Sequence, residues 1–235
     1  LNASTGNVEW KRSLDRGRST KVHVQNDSAS PTPVTDGENV YAFFQELGVV
    51  AYNAAGDHLW TVPLDPFFQY YGMAGSPILA GDLVILTCDQ QQKAFIIAID
   101  KADGSVRWKK DRSTRGTAWS TPVAFPSTSK PESVIVHGNG WLDAYALKDG
   151  ELLWNVSGFG ATPLASPSLI GNRLYTTAPQ WAEGDGGGFQ METFDSLVGK
   201  HDKNKDSKIT KEELKGNLLY GEFGWGDADQ DGFIT

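Results

Sequence analysis

The sequence has few cysteines that could form disulfides and no long apolar runs that could anchor a chain in a membrane. It contains one cysteine, Cys88, in 235 residues, which excludes an internal disulfide, and we expect this side chain to be buried as a small apolar group. No run of about 18 apolar residues occurs, so no transmembrane helix is predicted. No amphipathic helical pattern is found before about residue 188, which argues against a helical repeat protein.

Positive charge is scarce relative to negative charge. The chain has 21 Lys and Arg against 29 Asp and Glu, a net charge of −8, and residues 181–235 hold 12 acidic and 6 basic side chains, or −6 of that charge. This asymmetry argues against a nucleic-acid-binding protein and indicates a C-terminal part that binds cations. One basic cluster interrupts the rest of the chain, and we interpret it as a solvated loop: Lys109, Lys110, Arg112 and Arg115.

Common catalytic motifs are also missing. There is no Gly-x-Ser-x-Gly nucleophile motif, and the Gly-x-Gly stretches at 138–140 and 158–160 lack the third glycine of a dinucleotide-binding loop. No catalytic residue is therefore assigned. The histidines show no metal-ligand spacing and are interpreted as surface or packed side chains: His23, His58, His137 and His201.

A tryptophan repeat is the main feature that the sequence does contain. Four tryptophans lie 50, 48 and 46 residues apart, and each follows a glycine by four positions. A period of 40 to 50 residues is typical of repeat architectures. Scattered tryptophans in an ordinary β-sandwich would not explain the shared Gly-x-x-x-Trp phrase. The four residues are Trp10, Trp60, Trp108 and Trp154.

Each period contains four short segments with strand character. In the second period, residues 83–88 and 95–100 are β-branched and apolar, as buried strands are, and residues 106–109 alternate as a half-exposed outer strand does. Proline heads the four periods, at positions 33, 77, 122 and 167, where a strand start tolerates it. Four antiparallel strands repeated radially form the blades of a β-propeller. We therefore predict an all-β propeller.

The repeats predict about four blades over residues 1–180. Three are complete, a further blade opens near residues 165–175, and residues 1–12 have the pattern of the last turn and outer strand of a preceding blade. The propeller part is interpreted as a fragment of a larger ring. The alternative, in which the N-terminal strand completes the last blade and closes a small ring, stays open.

The phrase Ala-x-Asp-x-x-x-Gly-x-x-x-Trp resembles the tryptophan-docking repeat of the pyrroloquinoline-quinone (PQQ)-like propeller family. That family includes quinoprotein alcohol dehydrogenases and the propeller lipoprotein of the outer-membrane barrel-assembly machinery. In the fourth phrase Gly150 and Trp154 match, whereas Ala146 replaces the aspartate. The third phrase matches at every position: Ala98, Asp100, Gly104 and Trp108.

The resemblance implies that the four tryptophans pack between neighbouring blades, and that the protein is periplasmic or extracellular in a bacterium. A dehydrogenase of this family also needs PQQ, a Ca²⁺ beside the quinone and a carboxylate base, and many members carry adjacent cysteines. This chain has one cysteine and no acidic set that we could assign to a quinone-bound Ca²⁺. A non-catalytic platform that binds a protein or small-molecule ligand is favoured, and a fragment of a PQQ-dependent alcohol or sugar dehydrogenase is the alternative.

A binding face is expected where loops join one blade to the next, at one end of the central channel. An aromatic cluster there would suit a peptide, a sugar or a flat cofactor. The simpler interpretation is that Phe67 and Phe68 cap the core between blades. The candidate residues, close to His23 on a neighbouring loop, are Phe67, Phe68, Tyr70, Tyr71 and Trp119.

The chain changes character after the propeller, where residues 181–189 form a Gly-rich linker and residues 190–235 predict a helical EF-hand module. Residues 202–213 match a twelve-residue Ca²⁺ loop, which supplies oxygen ligands from positions 1, 3, 5, 7, 9 and 12. Ser207 stands at position 6, where glycine is usual, and should weaken the site by about 1 kcal/mol. The ligands would be Asp202, Asn204, Asp206, the carbonyl of Lys208, Thr210 and Glu213.

A second loop begins at Asp227, and the chain stops at its position 9, so this half-site is expected to bind poorly by itself. Ile209 and Ile234, at position 8 of each loop, are expected to pair, with a short helix at about 211–219 between the loops. Two alternatives stay open: only the first loop binds metal, or the first loop is an acidic turn without metal. The second-loop ligands would be Asp227, Asp229, Asp231 and the carbonyl of Phe233.

Overall fold

The computed structural model describes residues 1–15, 17–20, 23, 26, 29–177, 193–221, 223–227 and 231–234. The predicted linker at 181–189 and the predicted ligand Asp229 lie outside these residues. Among the helices of the described part, none is both long enough and apolar enough to cross a membrane.

Three four-stranded antiparallel sheets follow one another along the chain, each with its strands in sequence order. Blade 1 consists of β1 (Val34–Thr35), β2 (Asn39–Phe44), β3 (Gly48–Asn53) and β4 (His58–Pro63). Blade 2 consists of β5 (Ile78–Ala80), β6 (Leu83–Cys88), β7 (Phe95–Asp100) and β8 (Val106–Asp111). Blade 3 consists of β9 (Val123–Phe125), β10 (Ser133–Gly138), β11 (Trp141–Ala146) and β12 (Leu152–Ser157). A two-stranded sheet, β13 (Ser168–Ile170) and β14 (Arg173–Tyr175), follows. The predicted propeller plan is confirmed.

The register of the two outer strands repeats from blade to blade. The tryptophan of each outer strand lies opposite an alanine, in the pairs Ala51 with Trp60, Ala98 with Trp108 and Ala144 with Trp154, and the register shifts directly after each alanine. An added residue at such a shift increases the local twist of a strand pair. The alanine in the repeated phrase therefore marks the point, opposite the tryptophan, at which the twist of the two outer strands increases.

The junctions of blade 1 with blade 2 and of blade 2 with blade 3 are each closed by an indole from the preceding outer strand. The Nε1–H of Trp60 donates to the carbonyl of Lys101 at 3.1 Å, and that of Trp108 donates to the carbonyl of Leu147 at 2.8 Å. Trp10 makes the same bond to Ala54 at 2.9 Å. A buried indole N–H needs such a partner, so these bonds fix the position of each blade relative to the next.

The indole rings lie directly against a glycine turn of the next blade. A Cβ placed on Gly104 would lie 2.8 Å from the Trp60 ring, and one on Gly150 would lie 2.5 Å from the Trp108 ring. Both glycines have positive φ, +76° and +71°, where an L side chain is strained. The glycine of each phrase thus contacts the tryptophan of the preceding phrase. The tryptophan of the same phrase contacts the glycine of the following one.

Trp154 stands apart from the other strand-borne indoles. It is 43% exposed, whereas Trp60 and Trp108 are 8% and 7% exposed. Within the part of the chain that the structure describes, no glycine turn covers its ring.

A second set of hydrogen bonds links the innermost edges of the blades. Thr32 N–H donates to the Ser76 hydroxyl at 2.9 Å, Ser76 N–H to the Thr121 hydroxyl at 3.0 Å, and Thr121 N–H to the Ser166 hydroxyl at 2.8 Å. Each of these residues directly precedes the proline that heads its period. The Ser/Thr-Pro dipeptide therefore links neighbouring blades. From the sequence, only the role of its proline at the start of a strand was predicted.

The C-terminal region folds around its own apolar cluster. It contains α1 (Phe194–His201), β15 (Ile209–Thr210), α2 (Phe223–Gly226) and β16 (Phe233–Ile234). Single 3₁₀ turns at Glu212–Leu214 and Leu218–Tyr220 replace the helix predicted at 211–219, which was wrong. Gly216 breaks that segment with φ +91°, and the Asn217 side chain caps the second turn through Leu219 N–H at 2.9 Å. The shared core consists of Leu197, Ile209, Leu214, Leu219, Phe223 and Ile234.

Replacing Gly104 with alanine should destabilise the protein more than the same change at Gly81. Both glycines have positive φ, +76° and +59°, but nothing lies within 4 Å of a Cβ on Gly81. Gly81→Ala should cost about 1 kcal/mol, whereas Gly104→Ala also displaces the Trp60 indole and should cost about 3 kcal/mol. Urea unfolding curves measure both, and equal losses would contradict the docking role of Gly104.

Candidate functional site

The loop at residues 202–213 is wrapped around its first aspartate. Asp202 Oδ1 accepts the N–H of Lys205 at 2.7 Å, and its Oδ2 accepts the N–H of Ser207 at 2.9 Å. Lys205 and Ser207 have positive φ, +61° and +59°. Ser207 therefore adopts the left-handed conformation that glycine usually supplies at position 6, at a cost of about 1 kcal/mol.

Glu213, the twelfth residue, closes the same loop from the other side. Its Oε1 accepts the N–H of Lys203 at 3.1 Å, and its Oε2 accepts both the N–H and the hydroxyl of Thr210 at 2.9 and 2.8 Å. The backbone N–H of Thr210, followed by its hydroxyl, lowers the pKa of the Glu213 carboxyl. Positions 2, 9 and 12 of the loop are thereby held close together, with Glu213 ionised at neutral pH.

The two loops are joined as a small antiparallel sheet. Ile209 pairs with Ile234, and Thr210 pairs with Phe233. In the second loop, Asp227 Oδ2 accepts the N–H of Gly232 at 3.1 Å, which is the bond that Asp202 makes to Ser207 in the first. The position-8 residues thus lie opposite each other, and the first and sixth positions are bridged in the same way in both loops.

Carboxylates alone do not gather into a metal site in this module. Within the described ranges, which omit Asp229, no group of three or more His, Cys, Asp or Glu side chains is placed to hold a metal ion. The predicted Ca²⁺ set also includes Asn204, Thr210 and the carbonyl of Lys208, which are oxygen donors that Ca²⁺ accepts. In the structure Asn204 Oδ1 accepts Asp206 N–H at 3.1 Å, and Asp206 Oδ1 accepts Lys208 N–H at 2.9 Å.

The predicted aromatic face is formed by side chains from successive inter-blade loops. The rings of Tyr70 and Tyr71 are 5.1 Å apart, His23 lies 4.9 Å from Tyr71, and Trp119 lies 6.0 Å from Tyr71. Hydrogen bonds to backbone carbonyls hold the group in place: His23 N–H donates to the Tyr70 carbonyl at 2.9 Å, and Trp119 Nε1–H donates to the Gly72 carbonyl at 2.9 Å. All four rings are half-buried.

Phe67 does not belong to this face. It is 3% exposed and packs with Phe43 and Phe95, whose ring centroids lie 5.5 and 6.2 Å from its own. A buried apolar ring in the core between blades 1 and 2 presents nothing to a ligand, so its placement on the face is corrected. Phe68 is half-buried, and its N–H donates to Gln90 Oε1 at 2.7 Å. The aromatic face is therefore His23, Tyr70, Tyr71 and Trp119.

Over residues 1–110 the sequence matches the model of a family described as outer membrane protein assembly factor BamB. The blades of this chain are similar to PQQ-like propeller repeats. BamB from Moraxella catarrhalis has a similar fold, with a TM-score of 0.50 and 18% identity, and the match covers 62% of this chain and 46% of that protein. No curated protein sequence matches the chain.

Quinohemoprotein alcohol dehydrogenases are also among the similar solved structures. That of Pseudomonas putida HK5 has a TM-score of 0.45 and 13% identity, covering 53% of this chain and 26% of the enzyme. That of Comamonas testosteroni has a TM-score of 0.45 and 19% identity, covering 56% and 21%. The chain thus spans less than half the length of each of these proteins.

The PQQ-like propeller contains a buried ionic cluster that sequence reasoning missed. The Arg112 guanidinium is fully buried and makes two parallel bonds to Asp89, both at 2.7 Å. Its third nitrogen donates to Asp143 at 2.8 Å and to the Tyr145 hydroxyl at 2.7 Å. Arg112 and Asp89 belong to blade 2 and Asp143 to blade 3, so this cluster locks the two blades together. The interpretation of Arg112 as part of a solvated loop was wrong.

Arg115 completes the cluster and balances its charge. It pairs with both oxygens of Asp143, at 2.8 and 2.9 Å, and stacks over Trp141 at 4.3 Å. Burial opposes the charge on Arg112, but attraction to Asp89 outweighs it, so the pKa of Arg112 is raised. Two arginines against two aspartates leave the cluster neutral. The only sequence signal was position: Asp89 and Arg112 directly follow strands that end at the same side of blade 2.

Arg112→Met should destabilise the propeller far more than Arg107→Met. The first change leaves Asp89 and part of Asp143 buried without their cation, which costs about 3–5 kcal/mol. Arg107 pairs with Asp100 at 2.9 Å but is 58% exposed, so its loss should cost less than about 1 kcal/mol. Urea unfolding midpoints compare the two variants, and similar midpoints would refute a structural role for the cluster.

Proposed function

We propose that this chain is a PQQ-like propeller that acts as a non-catalytic platform for a protein partner or small-molecule ligand, and that binds Ca²⁺ through an EF-hand module. One observation carries the calcium part. The two loops pair through Ile209 and Ile234, and in each loop the first aspartate accepts the N–H of the sixth residue. The first loop also carries an amide oxygen on Asn204 and a hydroxyl on Thr210 beside its carboxylates, and carboxylate, amide, hydroxyl and carbonyl oxygens are the ligands that Ca²⁺ takes.

The charge of the first loop supports weak binding. Residues 202–213 contain four acidic and four basic side chains, so no net negative charge attracts the ion. Ligand charge and site rigidity tune EF-hand affinity, and weak sites with Kd of roughly 10⁻⁴–10⁻³ M belong to extracellular modules. A site of this class fits the periplasmic or extracellular location that we propose for the protein.

The platform proposal is supported by the aromatic face and by the family of the blades. A rigid, half-buried group of aromatic rings is the kind of surface that buries an apolar side chain or a flat ligand. The matched family is described as an assembly factor. A partner of the whole protein is proposed on that basis, with His23, Tyr71 and Trp119 as the surface that contacts it.

Calorimetric titration with Ca²⁺ should give a Kd of roughly 10⁻⁴–10⁻³ M. Asp202→Ala should abolish binding at the first loop because it removes the residue around which the turn is wrapped. Asp195→Ala, an exposed acidic change one helix away, is the matched control and should leave binding unchanged. A stoichiometry of one identifies a single working loop, and a stoichiometry of two a working pair. No heat at millimolar Ca²⁺ would refute the calcium proposal.

The non-catalytic part is tested with PQQ itself. We expect the full protein, mixed with PQQ and Ca²⁺, to show neither the spectrum of a bound quinone nor dye-linked oxidation of alcohols. A bound quinone with turnover would replace the platform by the dehydrogenase alternative. Because the EF-hand loops lie outside the propeller, Asp202→Ala separates the two calcium roles: a quinone-bound ion would survive this change.

A further inference from the structure

The second helix of the module contacts Tyr70, one ring of the aromatic face of the propeller. A Cβ placed on Gly224, in α2, would lie 2.2 Å from both Cδ2 and Cε2 of Tyr70. The backbone of Gly224 therefore lies so close to the tyrosine ring that there is no room for a methyl group. Gly224 has no positive φ, so the helix does not require glycine there for conformational reasons, and close approach is the reason that the structure offers.

The propeller side of this contact is built to stay in place. Tyr70 is flanked by Tyr71 and His23, with ring centroids 5.1 and 5.5 Å from its own, and its carbonyl accepts the His23 N–H. The loop that carries it is clamped by Gln90, whose Oε1 accepts Phe68 N–H at 2.7 Å. A ring fixed from both sides is a docking surface and not a freely rotating side chain.

The module side is tied to the second calcium loop. Asp227 N–H donates to the Phe223 carbonyl at 3.0 Å, so the first residue of that loop continues directly from α2. A Cβ on Gly226 would lie 2.5 Å from Ile234 Cδ1, which shows that β16 presses on the other side of the same helix. Helix α2 is thus held between the paired loops and Tyr70.

We propose that Tyr70 of the aromatic face is the docking site for α2 of the module, and that docking and calcium binding strengthen each other. This rests on the proposed calcium function. An ion bound in the first loop fixes β15, which pairs with β16, and β16 contacts α2 through Ile234 and Gly226, while docking fixes the same helix from the propeller side. Each event reduces the conformational freedom that the other must remove, which is positive coupling, and such coupling is reciprocal.

Two substitutions should break the contact in opposite ways. Tyr70→Ala removes the ring, and Gly224→Ala adds a methyl group where the ring lies. Alanine favours helix more than glycine does, so a loss from Gly224→Ala has to come from the contact and not from α2 itself. Gly221→Ala is the matched control, because it lies three residues away and nothing lies within 4 Å of its added Cβ.

The first arm measures docking without calcium. Hydrogen exchange in EDTA, followed by mass spectrometry of the full chain, should show exchange roughly fivefold faster in peptides covering residues 68–72 and 223–226 for Tyr70→Ala and Gly224→Ala. The wild type and Gly221→Ala should exchange alike. Gly224→Ala exchanging at the wild-type rate would overturn the docking surface.

The second arm measures the coupling. Calorimetric Ca²⁺ affinity should fall about fivefold or more in Tyr70→Ala and Gly224→Ala and stay unchanged in Gly221→Ala. Equal affinities in all four proteins, with wild-type binding intact, would overturn the coupling and leave the calcium function standing. Absence of binding in the wild type would refute the calcium function together with the coupling, and the exchange arm still decides the docking by itself.

Discussion

The structure depends on one contact, an indole lying against a glycine turn of the next blade. It combines a buried apolar ring, a satisfied N–H and a turn that no other residue type could form at that distance. The Trp60 and Gly104 pair and the Trp108 and Gly150 pair are built alike. Because each blade contributes one half to each neighbour, the contact fixes both the spacing and the orientation of successive sheets. Stability in such arrays comes largely from nearest-neighbour interfaces, so this contact decides whether the blades stand as one body.

The recurring phrase made the packing of the tryptophans between blades predictable, but it did not identify the glycine four residues before each tryptophan as the residue that a neighbouring indole contacts. The strands were predictable for the same reason: apolar, β-branched segments between turns have the same appearance in every period. Arg112 was not predictable, because its partners Asp89 and Asp143 lie 23 and 31 residues away and occur once, in one junction. A contact that recurs in every blade produces a sequence pattern from which the fold can be predicted, whereas a contact that occurs once produces no such pattern.

The two proposed calcium loops show the opposite limit. Their ligand spacing is local, so residues 202–213 could be proposed as a Ca²⁺ loop without any knowledge of the fold. The connection between the loops was mispredicted because the helical pattern at 211–219 takes no account of Gly216, whose positive φ ends one turn before Asn217 caps the next. The contact between Gly224 and Tyr70 had no signal at all, since a glycine selected for close approach to a distant ring looks like any other glycine.

The aromatic face explains why a rigid scaffold and a small module occur in one chain. Polar side chains at the hairpin ends fix the inter-blade loops by accepting their backbone N–H groups: Glu46 accepts Thr20 N–H at 3.0 Å, Gln90 accepts Phe68 N–H, and Asn139 accepts Thr162 N–H at 2.8 Å. Loops fixed in this way lose little entropy when something binds them. If the module binds Ca²⁺ as we propose, a change in Ca²⁺ concentration would change how α2 docks on a propeller surface that itself stays the same. Because the propeller loops are fixed, we expect any structural response to Ca²⁺ to occur in the C-terminal module that packs against them.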